Sequence, residues 1–220
     1  MAQAYLAANT YRDTGVVRVV FIEGRHRQTT ERRFKTAFVR PHRFRFEYSD
    51  RTSSDDEGRY IIWRNGSDVR TWWEIRPGVE TPELLGHALG AAAGVSGGAS
   101  MTVPTLLMPE EIAGASDAGA RIFGFNDPVR LSDETLDGTP CCRLKVKRSD
   151  EPSVIWIGQR NYLIRRIDAT STFKTFRTED TTLYEPVVDQ EIPEPLLLFD
   201  APLRPGAGPG RSSGRPSRRP

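Results

Sequence analysis

The 220-residue sequence predicts a mainly β (α+β) fold: one antiparallel sheet, bent, with a few helical pieces packed on its concave face. Three observations carry this expectation. Short runs of β-branched and aromatic residues with a period of two occupy both ends of the chain. One segment with helical spacing sits between them, from Thr81 to Ala113. No strand–helix–strand alternation appears, which argues against a parallel sheet.

The first nine residues, including AQAYLAAN, read as one short helix. Val16 to Ile22 is a β-branched strand. Phe34, Thr36 and Phe38 then alternate with Lys35, Ala37 and Val39 until Arg40-Pro41 breaks the run. Phe44, Phe46 and Tyr48 follow, with Arg43, Arg45 and Glu47 between them, so one face should be dry and the other wet. The stretch Arg51 to Gly58 is acidic and Ser-rich, a turn or exposed loop. Tyr60–Trp63 and Val69–Ile75 flank Asn65-Gly66, a strong short-range hairpin signal, and Pro77-Gly78 is expected to end that hairpin.

Thr81-Pro82 predicts a helix start. Leu84, Leu85, Ala88, Leu89 and Ala92 would share its apolar face, and Gly94 would close it. Gly94 to Ser100 reads as a flexible linker. From Val103 to Ala113, Pro104 and Pro109 are expected to leave only broken helical turns. Strands resume with Cys142, Leu144 and Val146 alternating with Arg143, Lys145 and Lys147. Val154–Ile157 should pair with Leu163–Ile167 across Gly158–Asn161. A Thr-rich run from Thr172 to Tyr184 and an apolar strand at Leu196–Phe199 complete the sheet.

Composition narrows the function. The chain carries a net charge of +2, yet five arginines and no acid lie beyond Ala201, so the body is slightly acidic. That argues against a nucleic-acid footprint, which needs basic groups on one face. Arg40 to Tyr48 interleaves arginines with aromatics, but a strand sends the two sets to opposite faces. His26, His42 and His87 have no partner at metal-ligand spacing, so no metal site or cofactor is predicted. Gly94 to Gly98 lacks the lysine of a phosphate loop, and Asp55, Asp56 and Glu57 read as solvated loop acids. No catalytic residue emerges, and an enzyme is not expected. In a strand the adjacent Cys141 and Cys142 would point to opposite faces, so they read as structural or free thiols, with a vicinal disulfide as the alternative. No signal peptide is visible, which leaves a cytoplasmic protein or one whose leader has been removed.

Several segments, taken in order, resemble one family. Phe38-Val39-Arg40-Pro41 with Phe44-Arg45-Phe46-Glu47-Tyr48 resembles the "RP…F" strand motif of LolA-type lipoprotein carriers of bacterial envelopes. The Asn65-Gly66 hairpin with Trp72-Trp73, the Pro-Leu motif Val103–Leu107 and the Leu136–Leu144 strand are similar to that family's following elements. So are Trp156-Ile157, Leu163–Arg166, Ile192-Pro193 and Phe199.

The resemblance implies an open, incomplete antiparallel β-barrel (a half-barrel) over residues 1–202, with helices as a lid over an apolar cavity. Residues 203–220 are expected to be a disordered Arg/Pro/Gly/Ser-rich tail. Non-enzymatic binding of a lipid or lipoprotein acyl chain follows, in the periplasm or another extracytoplasmic space if a leader is removed. The alternative is a lipid-sensing regulatory module that signals to a protein. The implied partners are a lipid or acylated lipoprotein and a membrane-associated donor or acceptor protein; the chain itself is expected to be monomeric. Phe38, Phe44, Phe46, Trp63 and Trp73 would line the sheet side of the cavity. Leu85, Leu89, Leu106, Leu107 and Met108 would line the lid. Arg40 matches the arginine that, in the carrier, bonds to the lid and holds the cavity shut.

Overall fold

Alternating apolar residues turn the N-terminal half into a meander, each strand pairing with the next. The computed structural model describes residues 1–50, 58–113, 126–148 and 151–201. Helix α1 (Ala2–Ala7) precedes strands β1 (Thr10–Glu23), β2 (His26–Val39), β3 (Arg43–Asp50), β4 (Tyr60–Asn65), β5 (Asp68–Trp73) and β6 (Arg76–Glu80). Helices α2 (Leu85–Ala93), α3 (Ala99–Leu107) and α4 (Pro109–Ala113) come next. A second meander follows: β7 (Asn126–Leu136), β8 (Thr139–Arg148), β9 (Glu151–Gly158), β10 (Ile164–Thr172) and β11 (Arg177–Tyr184), with the short β12 (Val187–Val188).

The two meanders meet where β1 pairs antiparallel with β11, giving the order β6-β5-β4-β3-β2-β1-β11-β10-β9-β8-β7. This is an open half-barrel: β6 and β7 are its free edges, and β12 adds onto β1. The topology also places the helices. The chain leaves the sheet at one edge and re-enters at the other, so the segment carrying α2–α4 has to cross a face of the sheet.

It crosses the concave face, because that is where the apolar residues point. Phe34 and Phe38 of β2, Phe44, Phe46 and Tyr48 of β3 and Tyr60 and Ile62 of β4 form one buried cluster with the helices. Val146, Ile155, Ile157 and Ile164 join it from the far half of the sheet. Phe34 lies across Gly15, where a Cβ would sit 2.1 Å from its ring; only glycine leaves that space.

Several sequence expectations are corrected. Pro77-Gly78 does not end a hairpin but lies inside β6, whose position at the sheet edge tolerates the missing N–H. Helix α2 begins at Leu85 rather than Thr81, since β6 continues to Glu80 and the chain must first turn onto the concave face. Gly94–Ser100 is no free linker: two turns lead into α3, with Gly98 in the left-handed region as its cap and Ser96 and Ser100 buried. The helix from Ala99 to Leu107 runs through Pro104, and burial of eight of its nine residues offsets the lost hydrogen bond. Pro109 opens α4 at a position where the N–H is dispensable.

The Thr-rich run divides into the end of β10 and β11, turning where Phe173 stacks on Phe176. Strand β7 was not foreseen. Leu196–Phe199 is not a strand: Glu194–Leu197 is a 3-10 turn, as two nearby prolines, Pro193 and Pro195, cannot donate to a ladder. His26 opens β2. The expected loop at 51–57 and the tail at 203–220 lie outside the described residues, as does the final residue of the expected domain. Cys141 and Cys142 are both free thiols.

Candidate functional site

Concave-face residues build the site from β2 and β3 upward. Phe38, Phe44 and Phe46 are fully buried, and the period of two aims them at the helices. Opposite them, Leu89 of α2 and Leu106, Leu107 and Met108 of α3 and its end pack into the same cluster, with Leu85 at the start of α2. Trp73 is partly buried against its margin and meets Tyr60 edge-on at 5.7 Å between centroids. Nine of the ten expected lining residues are thus brought together.

Trp63 is not. The β3–β4 register sets it opposite Arg45, while Ile62 sits opposite Phe46. Trp63 therefore faces the convex side, where its Nε1 donates to the Leu197 carbonyl at 2.7 Å and Arg70 lies over its ring. In the β4–β5 hairpin Tyr60 is the partner of Trp73, and Trp63 that of Arg70. The two tryptophans cannot share a face in this register. Ile62 is the concave residue that the sequence reading missed; its two-residue spacing from Tyr60 was the available signal.

Arg40 occupies the place where α1, α3 and β2 converge. Its Nε donates to the Ala8 carbonyl at 3.1 Å, and an η-nitrogen donates to Leu6 at 3.0 Å, Tyr5 at 3.4 Å and Leu107 at 3.5 Å. All four carbonyls lie at or just beyond helix C-termini, which carry orphan acceptors and partial negative charge. The guanidinium also rests over the Phe38 ring at 5.2 Å. One side chain thus ties the sheet, the N-terminal helix and the last turn of α3. Arg64 makes a second tie, pairing with Glu111 of α4, where His42 also approaches Glu111 at 3.6 Å. Burial pushes the Arg64 guanidinium down from its ordinary value.

Buried polar groups link α1, β1 and β10. Tyr11 Oη donates to Asp13 at 2.5 Å, and the Ile164 N–H donates to Tyr5 Oη at 2.9 Å. Burial raises the Asp13 carboxyl to about 7, against the opposing effect of hydrogen bonds from Tyr11 and Thr36. Burial likewise pushes the Tyr5, Tyr11 and Tyr184 phenols up. At the β6 side a cavity of about 190 Å³ opens where Ala91 of α2 faces Tyr60, Thr71 and Trp73. Arg76 and Glu80 stand at its rim.

No family model matches the sequence, and no curated protein matches it. Solved structures do. One is a LolA superfamily protein from Nitrosomonas europaea, at 11% identity over 90% of this chain and 98% of that one, with a TM-score of 0.33. Another is an outer membrane lipoprotein-sorting protein domain from Vibrio parahaemolyticus, at 9% identity over 88% and 92%, TM-score 0.34. A third is a chain of the Pseudomonas aeruginosa MucA/MucB complex, at 10% identity over 91% of this chain and 58% of that one, TM-score 0.46. LolA-type structures are what this chain is similar to. The half-barrel itself rests on the strand order and register above.

Among the described residues no group of three His, Cys, Asp or Glu is placed to hold a metal. None of the described helices is long and apolar enough to cross a membrane. His87 is exposed on α2.

Proposed function

We propose that this protein binds a lipid or lipoprotein acyl chain, without chemistry, between the concave face of the half-barrel and helices α2–α4. The observation that carries the reading is the latch at Arg40. A lid packed by apolar contacts is joined to the sheet through a few polar ties, each breakable by itself.

The energetics favour such an exchange. Apart from the partly buried Trp73, the lining residues are closed against one another, from 0% exposed for Phe38 to 4% for Met108, so a ligand has to displace the lid. Exposing three or four leucine-sized side chains costs about 6–8 kcal/mol, and burying about ten methylenes of an acyl chain returns about 8. One apolar packing replaces another at nearly equal free energy. The charge-assisted bonds of Arg40, worth about 1.5–3 kcal/mol, then decide which state prevails. The cavity at Trp73 and Ala91 is the natural mouth, open at the sheet edge and already partly apolar.

On this reading the working compartment is extracytoplasmic, and the partners are a lipid or acylated lipoprotein and a membrane-associated protein that delivers or receives it. Native mass spectrometry of gently prepared protein, followed by organic extraction, tests the proposal. A stoichiometric lipid or acylated peptide supports it. A clean protein mass, together with failure to bind a fluorescent fatty acid, sinks it and leaves the lid as ordinary core, with a protein-binding module as the reading to pursue.

A further inference from the structure

The convex face carries a feature unrelated to the lid. Residues beyond β12 run back across β2–β4 as a strap: Ile192 and Leu197 pack on Ala37, Glu194 pairs with Arg43, and Asp200 pairs with Arg45 and Arg59. Between strap and sheet lies a cavity of about 230 Å³.

Its floor follows from register. Val187, Arg12, Ala37 and Arg45 are consecutive cross-strand partners on β12, β1, β2 and β3, so they form one row. The methyl group of Ala37 leaves a dent between two arginines. Val187 and Leu196 supply apolar wall, and Lys35 stands on the neighbouring row.

Three cations, Arg12, Lys35 and Arg45, line this cavity together with two acids, Asp13 and Glu185. Arg45 is 6% exposed, and its Nε is buried without a hydrogen-bond partner, as is the Nε of Arg12. Neither Arg12 nor Lys35 pairs with an acid among the described residues. The acids nearby are engaged: Glu185 accepts from Thr14 Oγ1, Asp13 accepts from Tyr11, and Glu47 is held by Arg45 and Arg59. Buried donors without acceptors are uncommon, since each carries a desolvation penalty. Arg45 already gives an η-nitrogen to Glu47 and Asp200, which leaves Arg12 and Lys35 as the cations able to meet a carboxylate or a similar oxyanion.

We propose that this convex cavity is a second binding site, for a small anionic amphiphile whose oxyanion meets Arg12 and Lys35 and whose short apolar part lies against Val187 and Leu196. The volume holds about eight waters, or a ligand of roughly ten non-hydrogen atoms. A short-chain carboxylate has that size and polarity. The site is separate from the concave face, so it stands whether or not an acyl chain binds under the lid.

The test is titration of the full chain with sodium octanoate, with octan-1-ol as the uncharged control, followed by backbone amide resonances. Expected are saturable shifts at residues 12–14, 35–37 and 187, at least tenfold weaker binding of octanol, and weakening of octanoate by added salt. Arg12→Gln, which breaks no described ion pair, should raise the octanoate Kd at least fivefold while keeping a folded spectrum. Should that variant fail to fold, the octanol and salt comparisons on the unmodified chain still decide. Absence of saturable shifts overturns the proposal. So do shifts confined to Phe46, Leu89 and Leu107, equal affinity for octanol, or an unchanged Kd in folded Arg12→Gln.

Discussion

Arg40, just beyond the end of β2, donates a hydrogen bond at 3.5 Å to the carbonyl oxygen of Leu107, the last residue of α3, 67 positions further along the chain. The same guanidinium holds three carbonyls at the end of α1. Leu107 itself is fully buried against the sheet. Helix α3 is therefore tied to Arg40 at a residue that also belongs to the buried cluster.

Arg40→Gln should loosen the lid without unfolding the sheet. The expected cost is about 1.5–3 kcal/mol, the range for hydrogen bonds made by a charged donor. Chemical denaturation measures the loss, and amide exchange should quicken across α1 and residues 99–107. A fluorescent fatty acid should associate faster with this variant. Unchanged exchange in α3 would show that Arg40 is not a latch.

Asp13→Asn should remove a pH dependence of stability. The buried carboxyl titrates near 7, against 3.8 for the ordinary value. Between about pH 4 and pH 7 the folded chain holds a proton that the unfolded chain has released. Stability therefore falls as pH rises through that window, by up to about 4 kcal/mol, and the contribution is level above it. Asparagine still accepts from Tyr11 and carries no charge, so the variant should be more stable than the parent at pH 8 and similar at pH 4. Urea midpoints measured across this range decide the matter; parallel profiles for the two proteins would contradict it.

Gly97→Ala should destabilise the turn between α2 and α3. Gly97 has a φ of +59°, and a Cβ there would lie 2.7 Å from Cγ1 of Val17 on β1. Left-handed backbone and overpacking together should cost about 2 kcal/mol or more. Thermal unfolding reads the effect, and a neutral outcome would mean that the turn is not seated on β1.

Trp63→Phe and Leu107→Ala should separate the two faces. The first loses only the bond to the strap at Leu197, about 1 kcal/mol, and should leave fatty-acid affinity unchanged. The second opens the buried lid contact, costs about 2–5 kcal/mol and should alter that affinity. Equal effects of the two on fatty-acid binding would remove the concave face as the site.

Much of the concave lining was legible because strand alternation is local. Phe44, Phe46 and Tyr48 declare their common face in five residues, and Arg43, Arg45 and Glu47 declare the other. What alternation does not declare is which side a distant segment covers. Arg45 reads as a solvated arginine, yet it is 6% exposed because Asp200 and the strap return over it. Trp63 reads as a cavity aromatic for the same reason: its size signals burial, and only the register with Arg45 reveals the face.

The sequence by itself determined the strands near Arg40-Pro41, the Asn65-Gly66 hairpin, the helical interval and the apolar character of one sheet face, all set by neighbours within a few residues. Tertiary structure alone decided that β1 pairs with β11, that the helices cross from one sheet edge to the other, and that Arg40 reaches Leu107. Periodicity records how a side chain points relative to its neighbours in sequence. It carries no record of the partners that folding brings from 67 or 155 residues away, and those partners tie Arg40 to α3 and bury Arg45.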